Sequence, residues 1–328
     1  MTTPIKVHDS FLDVGGEDPR FAFMEELIKI AEGDDRVVAL DADVSRRTLT
    51  RRFRDRFPDR FWDMGIAEQN LMGATAGLAA AGRIPFAFAF AVFVSMRAVE
   101  PIRTSICYPR LNAKLIGGYA GLSNGKDGAT HQSIEDISIM RALPNLVVMS
   151  PSDPVIARKM ARAAYEHEGP VYMRIEYEET PTIHSTDEPF AIGVGYRVRE
   201  GRDITLATYG VALARAVEAA RTLSGQGIDV EVLDFPTLKP LDNDLLRASV
   251  RKTGQLITLE DQTVIGGIAS AACQSLVEGQ VPMPHFHALG IQDVFSESGK
   301  NDEVRDVLGV GVRSIVEAAT LMHQGGQA

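Results

Sequence analysis

Apolar residues fall in short blocks along the chain, and the spacing inside each block predicts an alternation of helices and strands. Between Pro19 and Ala31, Phe21, Phe23, Met24, Leu27, Ile28 and Ile30 recur among charges at a mostly helical period, and Gly33 closes the block as a first helix. Val37 to Leu40 is a short apolar strand that runs into Asp41 and Asp43, so two carboxylates stand at a strand's carboxyl end. Phe61 to Met64 is strand-like and meets Gly65; the small-residue run Ala67 to Gly82 then places Leu71, Met72 and Leu78 at helical spacing. Glu68 therefore falls in the first turn of a helix, where the dipole favours a carboxylate, above a strand end of the kind where open α/β sheets expose ligand sites. Ile84 to Ala91 alternates large and small side chains as a strand does, and Val92 to Tyr108 reads as a helix weakened at Pro101. Lys114 to Tyr119 is the next buried strand. It empties into Gly121 to His131, whose glycines mark a loop that turns tightly or approaches a ligand closely. Ser133 to Leu143 is helical, Leu146 to Met149 is a strand, Asp153 caps a helix through Ala164, and Val171 to Ile175 closes this first unit.

A second unit repeats the alternation. Asp203 to Gly210 is a strand and turn, Val211 to Ser224 an alanine-rich helix, Asp229 to Asp234 a strand, Asp242 to Arg251 a short helix, and Gln255 to Glu260 a strand. Gly266 and Gly267 open a further helix; without a P-loop lysine or GxGxxG spacing they read as close helix packing, not a phosphate cradle. The charged, Thr- and Pro-bearing stretch from Glu176 to Pro189 is the expected linker. The expected fold class is α/β, two three-layer domains with mostly parallel sheets covered on both faces, at residues 1–180 and 190–328.

Composition narrows the function classes. With 45% hydrophobic and 24% charged residues in 328, the chain is neither disordered nor collagen-like. A formal net charge of −10 argues against nucleic-acid or anionic-membrane partners, and the run Arg46, Arg47, Arg51, Arg52, Arg54, Arg56 reads as a solvated face. Cys107 and Cys273 are far apart and outside any CxxC pair, so a disulfide framework and a zinc site are not expected. The opening MTTPIKVHDS lacks a signal-peptide pattern, and no charge-free apolar run reaches about 18 residues, so a cytoplasmic protein is expected.

Taken in order, the stretches at 65–82 (GIAEQNLMGATAGLAAAG), 84–93 (IPFAFAFAVF), 102–112 (IRTSICYPRLN), 125–137 (GKDGATHQSIEDI) and 140–148 (MRALPNLVV) resemble the pyrimidine-binding domain of transketolases. The related deoxyxylulose-phosphate synthases are close behind. The stretch at 258–271 (TLEDQTVIGGIASA) resembles that family's C-terminal domain, so the likeness covers nearly the whole chain. The DGATHQ loop and the GIAEQN elbow are specific together and only suggestive singly. No Gly-Asp-Gly motif occurs, so the expectation is the C-terminal half of a transketolase encoded as its own subunit. A separate N-terminal subunit, two copies of each, would then hold the metal, Mg²⁺ or Ca²⁺, and no metal ligand is expected here.

The resemblance implies thiamine diphosphate as cofactor and transfer of a two-carbon ketol unit from a ketose phosphate to an aldose. By position, Glu68 is implied as the carboxylate beside the pyrimidine, and Phe90 and Phe93 as its stacking aromatics, with Met96 where a third aromatic is usual. Asp43 matches a residue near the cofactor across the subunit junction, or else is a helix cap. His131 matches the histidine that contacts the sugar's oxygen and moves protons, and Asp127 the carboxylate that meets the acceptor's C2 hydroxyl. Arg174 and Arg20 match phosphate-binding positions; Tyr119 stands where the family has a phosphate-binding His, and Arg47 near a usual Ser. Those two departures lead to an expected acceptor other than the usual pentose phosphate. Two other readings stay open: the β subunit of a 2-oxo acid dehydrogenase, from which the DG-THQ element departs, and a non-catalytic regulatory partner.

Overall fold

A computed structural model describes residues 16–325 apart from Met283; the N-terminal stretch read above for targeting lies outside these residues. The first unit runs α1 (Pro19–Gly33), β1 (Val37–Asp41), α2 (Thr50–Arg56), β2 (Phe61–Asp63), α3 (Glu68–Ala80), β3 (Ile84–Phe90), α4 (Ala91–Met96), α5 (Val99–Pro101), β4 (Lys114–Gly118), α6 (Asp136–Ala142), β5 (Val147–Met149), α7 (Pro154–Glu166) and β6 (Val171–Ile175). The second runs β7 (Tyr196–Arg199), β8 (Ile204–Thr208), α8 (Ala212–Ser224), β9 (Val230–Asp234), β10 (Thr237–Lys239), α9 (Asn243–Thr253), β11 (Gln255–Thr263), α10 (Ile268–Glu278), β12 (His285–Ile291), α11 (Asn301–Val307) and α12 (Val312–Gly325).

Local chemistry sets the helix ends. Asp18 and Asp153 accept hydrogen bonds from Arg20 N and Ile156 N at the starts of α1 and α7, each with Pro in the first turn, where its missing N–H costs nothing. The single helix expected over Val92 to Tyr108 is instead broken: α4 stops at Met96, α5 ends at Pro101, and a wider π-type turn, Ile102–Cys107, follows. Pro101 has no N–H to give a preceding carbonyl, which is the physical reason for the interruption. The arginine run read only as a solvated face contains a helix, α2, whose Thr50 and Phe53 are buried.

The sheets order as β10-β5-β6-β4-β3-β1-β2 and β12-β11-β8-β9-β7. β1, β3, β4 and β6 are buried along their whole lengths, as expected of parallel strands covered by helices on both faces. The seven-stranded sheet is completed from beyond the linker. β10 pairs antiparallel with β5, Thr237 opposite Met149, and covers an edge whose open N–H and C=O groups would otherwise face water or another chain.

The linker is stapled by charge. His184 is buried, with Nδ1 3.0 Å from Glu188 Oε2 and Nε2 3.0 Å from Asp234 Oδ2, while Asp153 Oδ2 accepts from the backbone N of Ile183 and His184. Burial lowers its pKa, but the hydrogen bonds it donates to Asp234 and Glu188 outweigh that and raise it from 6.5 to about 10. The imidazolium is thus favoured in the fold, so its stabilisation is full below pH 6.5 and is lost as pH rises through about 10. A urea midpoint that falls over that interval in the wild type, and falls less steeply in His184→Gln, is the expected outcome; parallel profiles would rule the staple out.

Candidate active site

The carboxyl ends of β1, β2, β3 and β4 lie along one edge of the first sheet. Past β2 the chain turns at Gly65 (φ 70) and enters α3 at Glu68, whose N-cap, Ala67, supplies no side-chain hydrogen bond. Glu68 is only 5% exposed, and Arg97 Nη1 lies 3.3 and 3.5 Å from its two carboxylate oxygens. The Arg97 guanidinium in turn lies 4.0 Å from the centre of the Phe93 ring. Phe93 and Phe90 are 6.0 Å apart, and both meet the His131 ring edge-on, at 5.4 and 6.0 Å. One continuous cluster therefore links Glu68, Arg97, Phe93, His131 and Phe90, with a buried carboxylate beside an apolar aromatic floor.

Phe90 extends the cluster to Tyr119, 4.8 Å away, which is buried in a left-handed conformation (φ 58) just past β4. The Tyr119 hydroxyl accepts from Arg20 Nη1 at 3.5 Å and Arg47 Nη1 at 3.4 Å, and its ring stacks on Tyr177 at 4.5 Å. Arg20 also covers Tyr177 at 3.9 Å and forks onto Asp18. Burial raises the Tyr119 pKa more than the two guanidinium groups lower it, so a neutral phenol stands between two cations. Beside it, Arg47, Lys126, Asp127, Tyr177, Lys300 and Asn301 contribute to the wall of a cavity of about 570 Å³.

The paired acids at the carboxyl end of β1 divide their tasks. Asp41 is buried and accepts from Thr48 at 2.7 Å, Thr50 at 2.8 Å and Val44 N at 2.6 Å; burial pushes its pKa up to about 6 against these bonds. Asp43 is exposed in a left-handed turn (φ 60), its N–H donating to Asp63 Oδ1 at 3.0 Å. It is no helix cap, because α2 begins only after Leu49.

Arg174, expected in a phosphate grip, lies near the carboxyl end of β6. It is wholly buried, with Nε 3.2 Å from Glu176, Nη1 3.2 Å from Asp136 and 3.3 Å from Gln262, and Nη2 2.7 Å from Asp261 O. Every guanidinium nitrogen is used inside the protein, and Gly121 (φ +58) packs so closely that a Cβ there would lie 2.2 Å from Nη2. The double glycine is a packing device in the same region. Glu260 accepts from Ile268 N and Ala269 N at the start of α10, and a Cβ on Gly267 would lie 1.9 Å from Glu260 Oε2.

Sequence reasoning missed Arg97, Tyr177 and Asn301. Arg97 stands four residues after Phe93, a helical spacing that pairs them on one face, so a signal existed. Tyr177 and Asn301 carried none, since each meets the site only through distant parts of the chain. Among the described residues no group of three or more His, Cys, Asp or Glu side chains is placed to hold a metal ion, and no helix is long and apolar enough to cross a membrane.

Comparison with known proteins gives concordant matches. The transketolase pyrimidine-binding domain matches residues 18–182 and the transketolase C-terminal domain residues 193–315. The chain is 39% identical over 300 residues to the 6-deoxy-6-sulfo-D-fructose transketolase subunit SqwH of a Clostridium species, covering 92% of each. It is 38% identical over 300 residues to a putative transketolase C-terminal section of Methanocaldococcus jannaschii, covering 91% of this chain and 94% of that one. A solved structure described as a split gene transketolase, inactive β4 tetramer, superposes with a TM-score of 0.87 at 42% identity, covering 94% of this chain and 99% of that one.

Proposed function

The chain belongs to the transketolase family, and we propose that it is the C-terminal subunit of an enzyme that moves a two-carbon ketol unit from a ketose phosphate to an aldose. The observation that supports this reading is the Glu68–Arg97–Phe93–His131–Phe90 cluster: a buried carboxylate facing aromatic rings fits an aminopyrimidine that needs a proton partner and a stacking surface. Thiamine diphosphate, when bound, supplies an electron sink that amino-acid side chains lack. Glu68 would share a proton with the pyrimidine ring nitrogen, Phe90 and Phe93 would cover the ring, and Asp43 would approach it from the strand end. His131 would hold or move a proton at the sugar's oxygen, and Asp127 would accept from the acceptor's C2 hydroxyl. Arg20 and Arg47 would hold the anionic end of the substrate, with the Tyr119 phenol between them in place of a cation.

A separate N-terminal subunit, two copies of each, would complete the cofactor site and hold Mg²⁺ or Ca²⁺; the alanine-rich helix α3 suits close packing at such a junction. Two unpaired cysteines agree with a cytoplasmic setting. The matches favour neither a 2-oxo acid dehydrogenase nor a non-catalytic partner. The test is an assay of the purified chain with thiamine diphosphate and magnesium, with and without a transketolase N-terminal section, against phosphorylated, sulfonated and unphosphorylated sugars. No turnover alone, turnover on mixing, and a shift toward ribose 5-phosphate in Tyr119→His are expected. Ketol transfer by the chain alone would overturn the subunit reading, and a wild type that prefers ribose 5-phosphate would remove the role given to Tyr119.

A further inference from the structure

We propose that Asn301, in the second unit, is a positioning residue for the loop of the first unit that bears Asp127 and His131, so that the C-terminal unit sets the reach of both side chains. The proposal rests on the reading of that loop given above.

The loop from Ala120 to Ser133 has little regular structure of its own beyond the single turn Gly125–Asp127. Gly121, Gly125 and Gly128 widen its backbone freedom, and its internal bonds, among them Gly121 N to Ser133 O and His131 N to Gly128 O, are joined by bonds from outside the loop. Tyr177 N donates to Ser123 Oγ at 3.0 Å, and the remaining outside bonds come from the segment Glu297 to Asn301, more than 160 positions away. Asn301 Oδ1 accepts from Gly125 N at 3.1 Å, and Asn301 Nδ2 donates to Ser123 O at 3.2 Å. A backbone donor and a backbone acceptor are thus both met by one side-chain amide, which fixes its orientation and the register of the loop. Gly299 N donates to Gly125 O at 3.0 Å, and Gln132 Nε2 donates to Glu297 O at 3.3 Å. The grip therefore lies on both sides of Asp127 and His131.

The approach is close as well as polar. A Cβ on Gly125 would lie 2.7 Å from Gly299 O and 2.9 Å from Asn301 Oδ1, and one on Gly128 (φ +74) 2.5 Å from Ser298 Oγ. The gripping segment is itself anchored, because Arg305 of α11, 1% exposed, pairs with Asp261 and with Glu178 in the linker. Asn301 also lines the 570 Å³ cavity shared with Asp127 and Arg47, which puts its influence next to the acceptor's expected place. Displacing groups of this kind by about 1 Å costs up to about a hundredfold in rate.

Two variants and three readouts test the proposal. In Asn301→Ala, amide hydrogen exchange of the chain over residues 121–133 should rise while that of β4 and β6 is unchanged; Asn301→Asp, which keeps the acceptor for Gly125 N, should fall between. In the enzyme assembled with its N-terminal subunit, kcat/KM for the acceptor should drop about ten- to a hundredfold in Asn301→Ala. Exchange of the C2 hydrogen of bound thiamine diphosphate should stay at the wild-type rate, since Glu68 lies on α3 and not on the loop. Unchanged loop exchange, or faster loop exchange with wild-type kcat/KM, overturns the proposal. A wild-type assembly without ketol transfer sinks the functional reading alone, because the loop-exchange arm still reads the grip.

Discussion

Replacing Glu68 with glutamine is expected to slow hydrogen–deuterium exchange at C2 of bound thiamine diphosphate by about 10²–10⁴ in the assembled enzyme. Glutamine keeps the length and the acceptor oxygen of glutamate but cannot take up the proton that the ring nitrogen must share. The fold should survive, because glutamine keeps an acceptor oxygen for Arg97, whose side chain is 53% exposed and can otherwise turn to water. The large loss would thus fall on proton transfer and leave the urea midpoint nearly where it was. An unchanged exchange rate would make Glu68 an ordinary residue at a helix start, favoured there by the dipole alone.

Arg174→Ala is expected to destabilise the protein by about 3–5 kcal/mol, the usual cost of removing one partner of a buried ion pair. Asp136 and Glu176 would be left in a dry interior without their cation, and the carbonyl of Asp261 and the Gln262 side chain would lose a donor. Burial already pushes the Glu176 pKa up to about 7 against the pull of Arg174, so without the guanidinium this carboxyl should take up a proton near neutrality. Denaturant titration measures the stability loss, and kinetics on surviving folded protein separate it from substrate binding. Equal losses on phosphorylated and unphosphorylated acceptors are expected of an internal brace. A stable variant with a raised KM only for phosphorylated acceptors would return Arg174 to the anion site.

Much of the site's framework was legible because it depends on neighbours within a few residues. Glu68 opens α3 since a strand, a glycine at positive φ and a run of small residues follow one another there, and each step is a local steric preference. Phe90 ends a strand of alternating large and small side chains, and the glycines of the 121–131 stretch leave only a loop. The sequence by itself therefore determined the α/β alternation of both units, the mostly parallel sheets and the set of side chains offered at the strand ends, but not α2, β7, β10, β12, α11 or α12. Tertiary structure decided which of those side chains gather at the strand ends and which are enclosed inside. Arg174 and Arg20 look alike as strand- and helix-borne arginines and both are buried, yet one is wholly enclosed by Asp136, Glu176 and the β11 backbone while the other, forked onto Asp18, also reaches Arg47 O, Tyr119 and Tyr177. The same holds for β10, which crosses the linker to close the first sheet, and for Asn301, which holds a loop 176 residues earlier in the chain. These outcomes depend on burial and pairing between segments far apart in sequence, and a spacing pattern records only what is repeated along a single element.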